Sequence, residues 1–155
     1  MLFIQKDKTM AFKFGKISLK RLETTEPFVQ EIMHEVLSIS PYDFGIPEFG
    51  GRRTIKEQEQ LVKQGKSKTM NSKHLKGEAI DICRHMGGNK YSFERKDISL
   101  IAPIVKQVAK DKGYKVRWGG DWLNFVDAPH FEFTKKERKL VDYFNFLKRN
   151  KLWEK

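Results

Sequence analysis

The apolar residues of this 155-residue chain recur at two different periods, in short alternating pieces, and that interleaving decides the fold class. Helical spacing governs residues 25–37, where Phe28, Ile32, Val36 and Leu37 repeat and Val29 and Met33 widen the stripe. Thr25 is placed to cap this segment, with Glu26 in its first turn and Pro27 at an early position that tolerates it. Strand-like alternation takes over at residues 78–83, EAIDIC. Thr54 and Glu57 form a capping-box pattern that opens a helix over 54–65, closed by Gly65. Residues 97–112 read as one helix ended by Gly113, with Pro103 acceptable only near its start. Short strands are expected at 115–118 and 130–133, and another near 12–17 in an otherwise irregular start. Thr134 and Glu137 open a last helix that turns Leu140, Tyr143, Phe144 and Leu147 inward. Short strands separated by helices predict an α+β fold: one small antiparallel sheet with helices packed around it, in a single domain over 1–155.

Composition removes several alternatives. No run approaches the about 18 apolar residues of a membrane span. One cysteine, Cys83, excludes an internal disulfide framework, and twelve phenylalanines argue against disorder. The net charge is +11, and it sits at the ends: residues 1–21 and 134–155 each carry +5, around a nearly neutral centre. Basic ends favour polyanions, either nucleic acid or an anionic membrane or wall. MLFIQKDKTM has only a short apolar run, with charges at Lys6 and Asp7 and no small-residue cleavage site. The expectation is synthesis in a cytoplasm, without the usual export signal.

Two histidine-containing stretches carry the chemistry. In SKHLKGEAID, His74 precedes Asp81 by seven residues, Gly77 permits a tight turn between them, and Ala79 leaves that strand face open. In WGGDWLNFVDAPHFEF, Asp127 precedes His130 by three residues in a turn containing Pro129. A catalytic zinc site needs three protein ligands, an open position for water, and a base that is not itself a ligand. His74, Asp81 and His130 can supply the ligands and Asp127 the base; taken alone, Asp127 reads equally as a turn-former and His130 as a residue at the core edge. A rival set of His74, Cys83 and His85 is chemically possible, but it leaves the second stretch without a role; Cys83 also reads as a small buried hydrophobe. Glu132, on the same strand face as His130, is either a fallback base or a partner behind the ligand. Trp118 reads as core, and Trp122, beside two glycines, as a wall of the substrate cleft. His34, among apolar neighbours in a helical stretch, is given no role.

SKHLKGEAID and DAPH followed by FE resemble the two signatures of the D-alanyl-D-alanine carboxypeptidase and L-alanyl-D-glutamate endopeptidase family of zinc peptidases. GGRRT around Arg53, the Glu57–Gln58 pair, the QGKSKTM run and WGGDW are similar to its bacteriophage endolysin branch. The likeness covers about residues 43–133. It implies Zn²⁺ on His74, Asp81 and His130, and Asp127 as general base. It implies that Arg53 stabilises the scissile carbonyl or anchors a substrate carboxylate, and that Ser72 hydrogen-bonds substrate or the ligand loop. Carboxypeptidase relatives usually carry Glu at the base position, so Asp127 points to L-alanyl-D-glutamate cleavage, with D-alanyl-D-alanine carboxypeptidase as the alternative.

The resemblance further implies a peptidoglycan stem peptide as substrate; at 155 residues a separate wall-binding domain is not expected beside the catalytic fold, and a monomer is expected. It implies synthesis in the host cytoplasm and release through a holin to the wall in the periplasm, with the basic ends touching the anionic wall or membrane surface. Nucleic acid is not an expected partner. A basic nucleic-acid-binding module would explain the charge and the aromatic residues of FNFLKRNKLW, but not the two histidine stretches. A C-terminal helix that disturbs membranes would be compatible with either.

Overall fold

The computed structural model describes residues 11–135 and 148–149. Its elements in chain order are α1 (Lys16–Leu22), α2 (Pro27–Ile39), β1 (Phe44–Gly45), α3 (Ile55–Lys63), β2 (Ala79–Asp81), β3 (Cys83–His85), β4 (Tyr91–Ser92), α4 (Arg95–Ile98), α5 (Ala102–Asp111), β5 (Tyr114–Trp118) and β6 (His130–Lys135). Single 3-10 turns lie at Lys73–Lys76 and Gly119–Asp121. The class is α+β, as the interleaved periods predict. The single expected sheet is instead two three-stranded antiparallel sheets, ordered β1-β3-β4 and β2-β6-β5.

The division falls inside EAIDIC. Alternation runs unbroken through 78–83, yet the chain leaves one sheet at Asp81 and enters the other at Cys83. At the crossing, Asp81 donates its backbone N–H to the Gly50 carbonyl and Ile82 donates to the Pro129 carbonyl. Side-chain period reports which face a residue takes, but not which strand will pair with it.

The core is built where the stripes were read. Val29, Ile32, Met33, Val36 and Leu37 bury one face of α2, at the i, i+3, i+4, i+7 spacing of an amphipathic helix. They meet α5, which contributes Ile104, Val105 and Val108, and the inner face of the β2-β6-β5 sheet, where Ile80, Phe131 and Phe133 are fully buried. Phe28, at the edge of the stripe, stacks on Tyr114 with ring centroids 4.5 Å apart. Trp118 is core, as expected: it lies parallel to Phe131 and donates its indole N–H to the Ala128 carbonyl at 2.6 Å.

Four local expectations need correction. Residues 12–17 hold no strand; the chain instead turns helical at Lys16. α1 is seven residues long and buries only Leu22, too little to write a stripe into the sequence. Thr25 does not cap α2: its hydroxyl donates to the Leu22 carbonyl, and Glu26 holds the cap position without a side-chain bond. The helix expected over 97–112 is two helices, because an interior Pro103 would offer no N–H to the turn before it; Pro103 sits in the first turn of α5 instead. Thr134 and Lys135 extend β6 rather than opening a helix. The remainder of that expected helix lies outside the described residues, as does most of the basic sequence at both ends. The Thr54–Glu57 capping box forms as read, with both of its hydrogen bonds.

Candidate active site

The β2–β6 ladder sets the site. Asp81 and His130 are direct cross-strand partners, as are Ile80 with Phe131 and Ala79 with Glu132. Alternation then sorts the two faces. Ile80 and Phe131 turn into the core, while Asp81, His130 and Glu132 share the opposite face, where the small Ala79 leaves room. His74 arrives from the 3-10 turn just before β2. Ser72 opens that turn, accepting from the His74 N–H, and Gly77 closes it in the left-handed conformation at φ 70°.

The three side chains meet at one point. His74 Nε2 lies 3.1 Å from Asp81 Oδ1 and 3.1 Å from His130 Nδ1, and His130 Nδ1 lies 3.2 Å from Asp81 Oδ1. The far atom of each group is held. His74 Nδ1–H donates to the Gly51 carbonyl at 2.9 Å, His130 Nε2–H donates to Glu132 Oε2 at 3.0 Å, and Arg53 donates to Asp81 Oδ2 at 2.7 Å. A carbonyl can only accept, and so can a carboxylate, so these partners set the tautomer of each neutral ring. The two inward nitrogens then present lone pairs, towards each other and towards a carboxylate oxygen. Three electron-rich atoms at this spacing need a cation among them, either a proton or a metal.

The electrostatics agree. Burial opposes the charge on His130, but its hydrogen bonds to the Asp81 and Glu132 carboxylates outweigh it and push its pKa up to about 9. Burial likewise raises the Asp81 carboxyl, yet the two imidazoles hold it far below the usual carboxylate range. A metal fits as well as a proton. Two imidazoles and a carboxylate are zinc-type donors, and tetrahedral coordination at about 2.0–2.1 Å places ligand atoms roughly 3.3–3.4 Å apart. The observed 3.1–3.2 Å is close to that.

Asp127 lines the same cleft, of about 500 Å³. Its N–H donates to the Gly119 carbonyl and its carbonyl accepts from the His130 N–H. A side chain at Gly119 would collide with the Asp127 backbone, which explains a glycine after Trp118. The Asp127 carboxylate is engaged by no hydrogen bond or ion pair among the described residues. Burial, reinforced by the nearby Asp81 charge, raises its pKa. Ser72 and Trp122 also line the cleft, and Trp122 tilts against His130 at 5.3 Å between ring centroids.

A phage L-alanyl-D-glutamate peptidase family model matches residues 10–142. The chain belongs to that family. It is similar to the L-alanyl-D-glutamate peptidase of Escherichia phage T5, 35% identical over 116 residues, which are 73% of this chain and 83% of that protein. It is also similar to the peptidoglycan L-alanyl-D-glutamate endopeptidase CwlK of Bacillus subtilis, 33% identical over 105 residues, covering 53% of this chain and 56% of CwlK. Among solved structures it resembles the L-Ala D-Glu endopeptidase ChiX of Serratia marcescens. There the TM-score is 0.71 and the identity 30%, covering 83% of this chain and 94% of ChiX. The resemblance carried by SKHLKGEAID and DAPH thus holds, and the chain is an enzyme of the peptidase class.

Arg53, expected to meet the scissile carbonyl or a substrate carboxylate, lines the cleft. Its guanidinium donates to Asp81, to Gln58 Oε1 at 3.1 Å and to the Phe49 carbonyl at 2.8 Å, and so fixes the Asp81 carboxylate. Five donors less three leaves two for other partners. Sequence reasoning gave Gln58 no role of its own. It is fully buried and ties Arg53 to Ser67 and the Thr69 carbonyl across the cleft wall. A glutamine on the inner side of a capped helix is the only sequence signal for it. The rival ligand set does not assemble: Cys83 turns its thiol to the Gly45 carbonyl in the other sheet, and His85 pairs with Asp43 and the Gly88 carbonyl. Asp121, in the WGGDW stretch, pairs with Lys106.

Proposed function

We propose that this chain is a zinc-dependent endolysin peptidase that hydrolyses the L-alanyl-D-glutamate bond of peptidoglycan stem peptides, with His74, Asp81 and His130 as the metal ligands. The supporting observation is the triangle of three ligand atoms beside an unengaged, half-buried carboxylate at Asp127, in a member of this family. Zn²⁺ bound there supplies Lewis acidity, acidifying water and polarising the amide carbonyl.

The chain's own residues do the rest. Asp127 takes the proton of the attacking water and returns it to the departing amine; burial, which raises its pKa, suits a group that must both accept and release a proton. Arg53 holds Asp81 in register and offers its remaining N–H groups to the polarised carbonyl or to a substrate carboxylate. Ser72 supports His74 through its oxygen and keeps its O–H free to donate to substrate. Trp122 walls the cleft. Glu132 steadies His130 rather than serving as a base.

We further assign residues 1–155 to one monomeric catalytic domain, made in the host cytoplasm and reaching the wall through a holin, with its basic ends towards the anionic wall. No helix among the described residues is long and apolar enough to cross a membrane.

Digestion of purified peptidoglycan, with mass spectrometry of the fragments in the presence and absence of a chelator, tests this reading. New N-terminal D-glutamate, abolished by the chelator and restored by zinc, is the expected result. Release of terminal D-alanine alone would replace it with carboxypeptidase activity, and chelator-resistant cleavage would remove the metal.

A further inference from the structure

The mouth of the cleft is aromatic, and the chemistry above does not use it. Phe49, Phe93 and Phe125 line the cleft while remaining 37%, 50% and 44% exposed. Phe49 and Phe125 are also the only non-glycine residues with positive φ among the described residues, at 60° and 49°. A side chain resists that left-handed backbone, which persists only where the surroundings impose it, often at a functional site.

Both positions are tied to the site. The Phe49 carbonyl accepts from Arg53 Nε, and the carbonyls of Gly50 and Gly51 accept from Asp81 N–H and His74 Nδ1–H. Phe125 stands two residues before Asp127, with Lys68 Nζ 5.2 Å over its ring. The Phe49 carbonyl bond needs no ring, and the Lys68 contact involves the Phe125 ring yet leaves it 44% exposed, so neither accounts for the exposed ring surface at the cleft mouth. Glycine or asparagine would take the same conformation with less resistance and without exposing apolar surface to water. Exposed apolar surface continuous with a binding cleft marks a ligand contact.

Taking the bond assigned above as given, we propose that Phe49 and Phe125 form a saccharide clamp that receives the muramic acid sugar of the substrate. In peptidoglycan the nitrogen of the stem's L-alanine is acylated by the lactyl arm of that sugar. The scissile amide lies on the other side of the same alanine. One residue and one short linker, roughly 7 Å of chain, separate the pyranose from the carbonyl under attack. A substrate seated at His74, Asp81 and His130 therefore carries its sugar out to the mouth of the cleft. A pyranose presents a face of C–H groups, and the negative π-face of an aromatic ring is its natural complement.

The test compares an N-acetylmuramyl stem peptide with the free stem peptide of the same sequence, using the zinc-loaded full chain. Phe49→Asn and Phe125→Asn, singly and together, keep a residue that tolerates the left-handed backbone and remove the ring. Wild type is expected to cleave the sugar-linked substrate about tenfold more efficiently than the free peptide, as two ring contacts predict. The double variant is expected to bring that ratio towards one through loss on the sugar-linked substrate. Independently, N-acetylmuramic acid alone is expected to shift the backbone amide resonances of residues 47–51 and 122–127 in wild type, and not in the double variant. Equal cleavage of the two substrates by wild type, or an unchanged ratio in the double variant, would overturn the clamp. Failure of wild type to cleave either substrate would instead overturn the assigned bond, and the resonance shifts then decide the clamp on their own: their absence overturns it.

Discussion

Zinc binding to this chain is expected to expel a proton and to strengthen steeply with pH. In the metal-free protein His130 has a pKa of about 9, because Asp81 and Glu132 stabilise its charged form more than burial penalises it. A protonated nitrogen has no lone pair to give, so the metal must first displace the proton. At pH 7 that displacement spans about two pH units, an apparent loss of roughly 100-fold in affinity, or about 3 kcal/mol. Because the pKa is raised, the loss is largest at low pH and vanishes as pH climbs through about 9. The apparent association constant should rise about tenfold per pH unit below that point and level above it. Competition with a chromophoric chelator across this range reads the slope. Calorimetry in two buffers of different ionisation enthalpy reads the proton count, expected to be near one at pH 7. Glu132→Gln keeps an acceptor for the His130 N–H but removes its charge, so the levelling point should move to lower pH. A flat affinity between about pH 7 and about pH 9, with no proton released, would refute the reasoning, since three facing donors would then be holding no proton at all.

Three further outcomes follow from the same geometry. Asp127→Asn is expected to retain stoichiometric zinc by elemental analysis while kcat falls about 10²–10⁴-fold, the usual contribution of a positioned base; loss of zinc as well would make Asp127 a ligand. Cys83→Ser is expected to keep both zinc and activity, because the thiol faces the Gly45 carbonyl in the other sheet; a drop in zinc stoichiometry would revive the rival ligand set. Raising the salt concentration should weaken sedimentation with purified walls more than cleavage of a small soluble peptide, because only the first depends on long-range attraction by the basic ends; equal responses would sever the charge from wall binding.

The parts of the candidate site were legible because each histidine stretch is local: a tight turn places His74 before its strand, and a three-residue step places Asp127 before His130. Their convergence also needs residues 78–83 and 130–133 to pair in the one antiparallel register that puts Asp81 opposite His130, which alternation alone does not specify. The transfer of the chain between two sheets at Ile82 was not legible. Hydrophobic alternation is the same whichever partner a strand finds, so residues 78–83 read as one strand although Asp81 and Cys83 pair in different sheets. The commitments of Arg53 were hidden for a related reason: Asp81, Gln58 and the Phe49 carbonyl come from three separate segments that only the tertiary fold assembles. α1 escaped notice because it buries a single side chain.

The direct pairing of Asp81 with His130 has an implication for how long the molecule survives. These two residues lie 49 positions apart in the chain and bracket an excursion that contains β3, β4, α4, α5 and β5. A metal gripping both ends fastens the excursion at its neck and recognises only the folded chain. Free ion at about 1,000 times its dissociation constant would then add roughly 4 kcal/mol to stability. Metal supply would thus govern the lifetime of the protein against proteolysis as well as its turnover, so that a chain released into a zinc-starved compartment would be short-lived as well as idle.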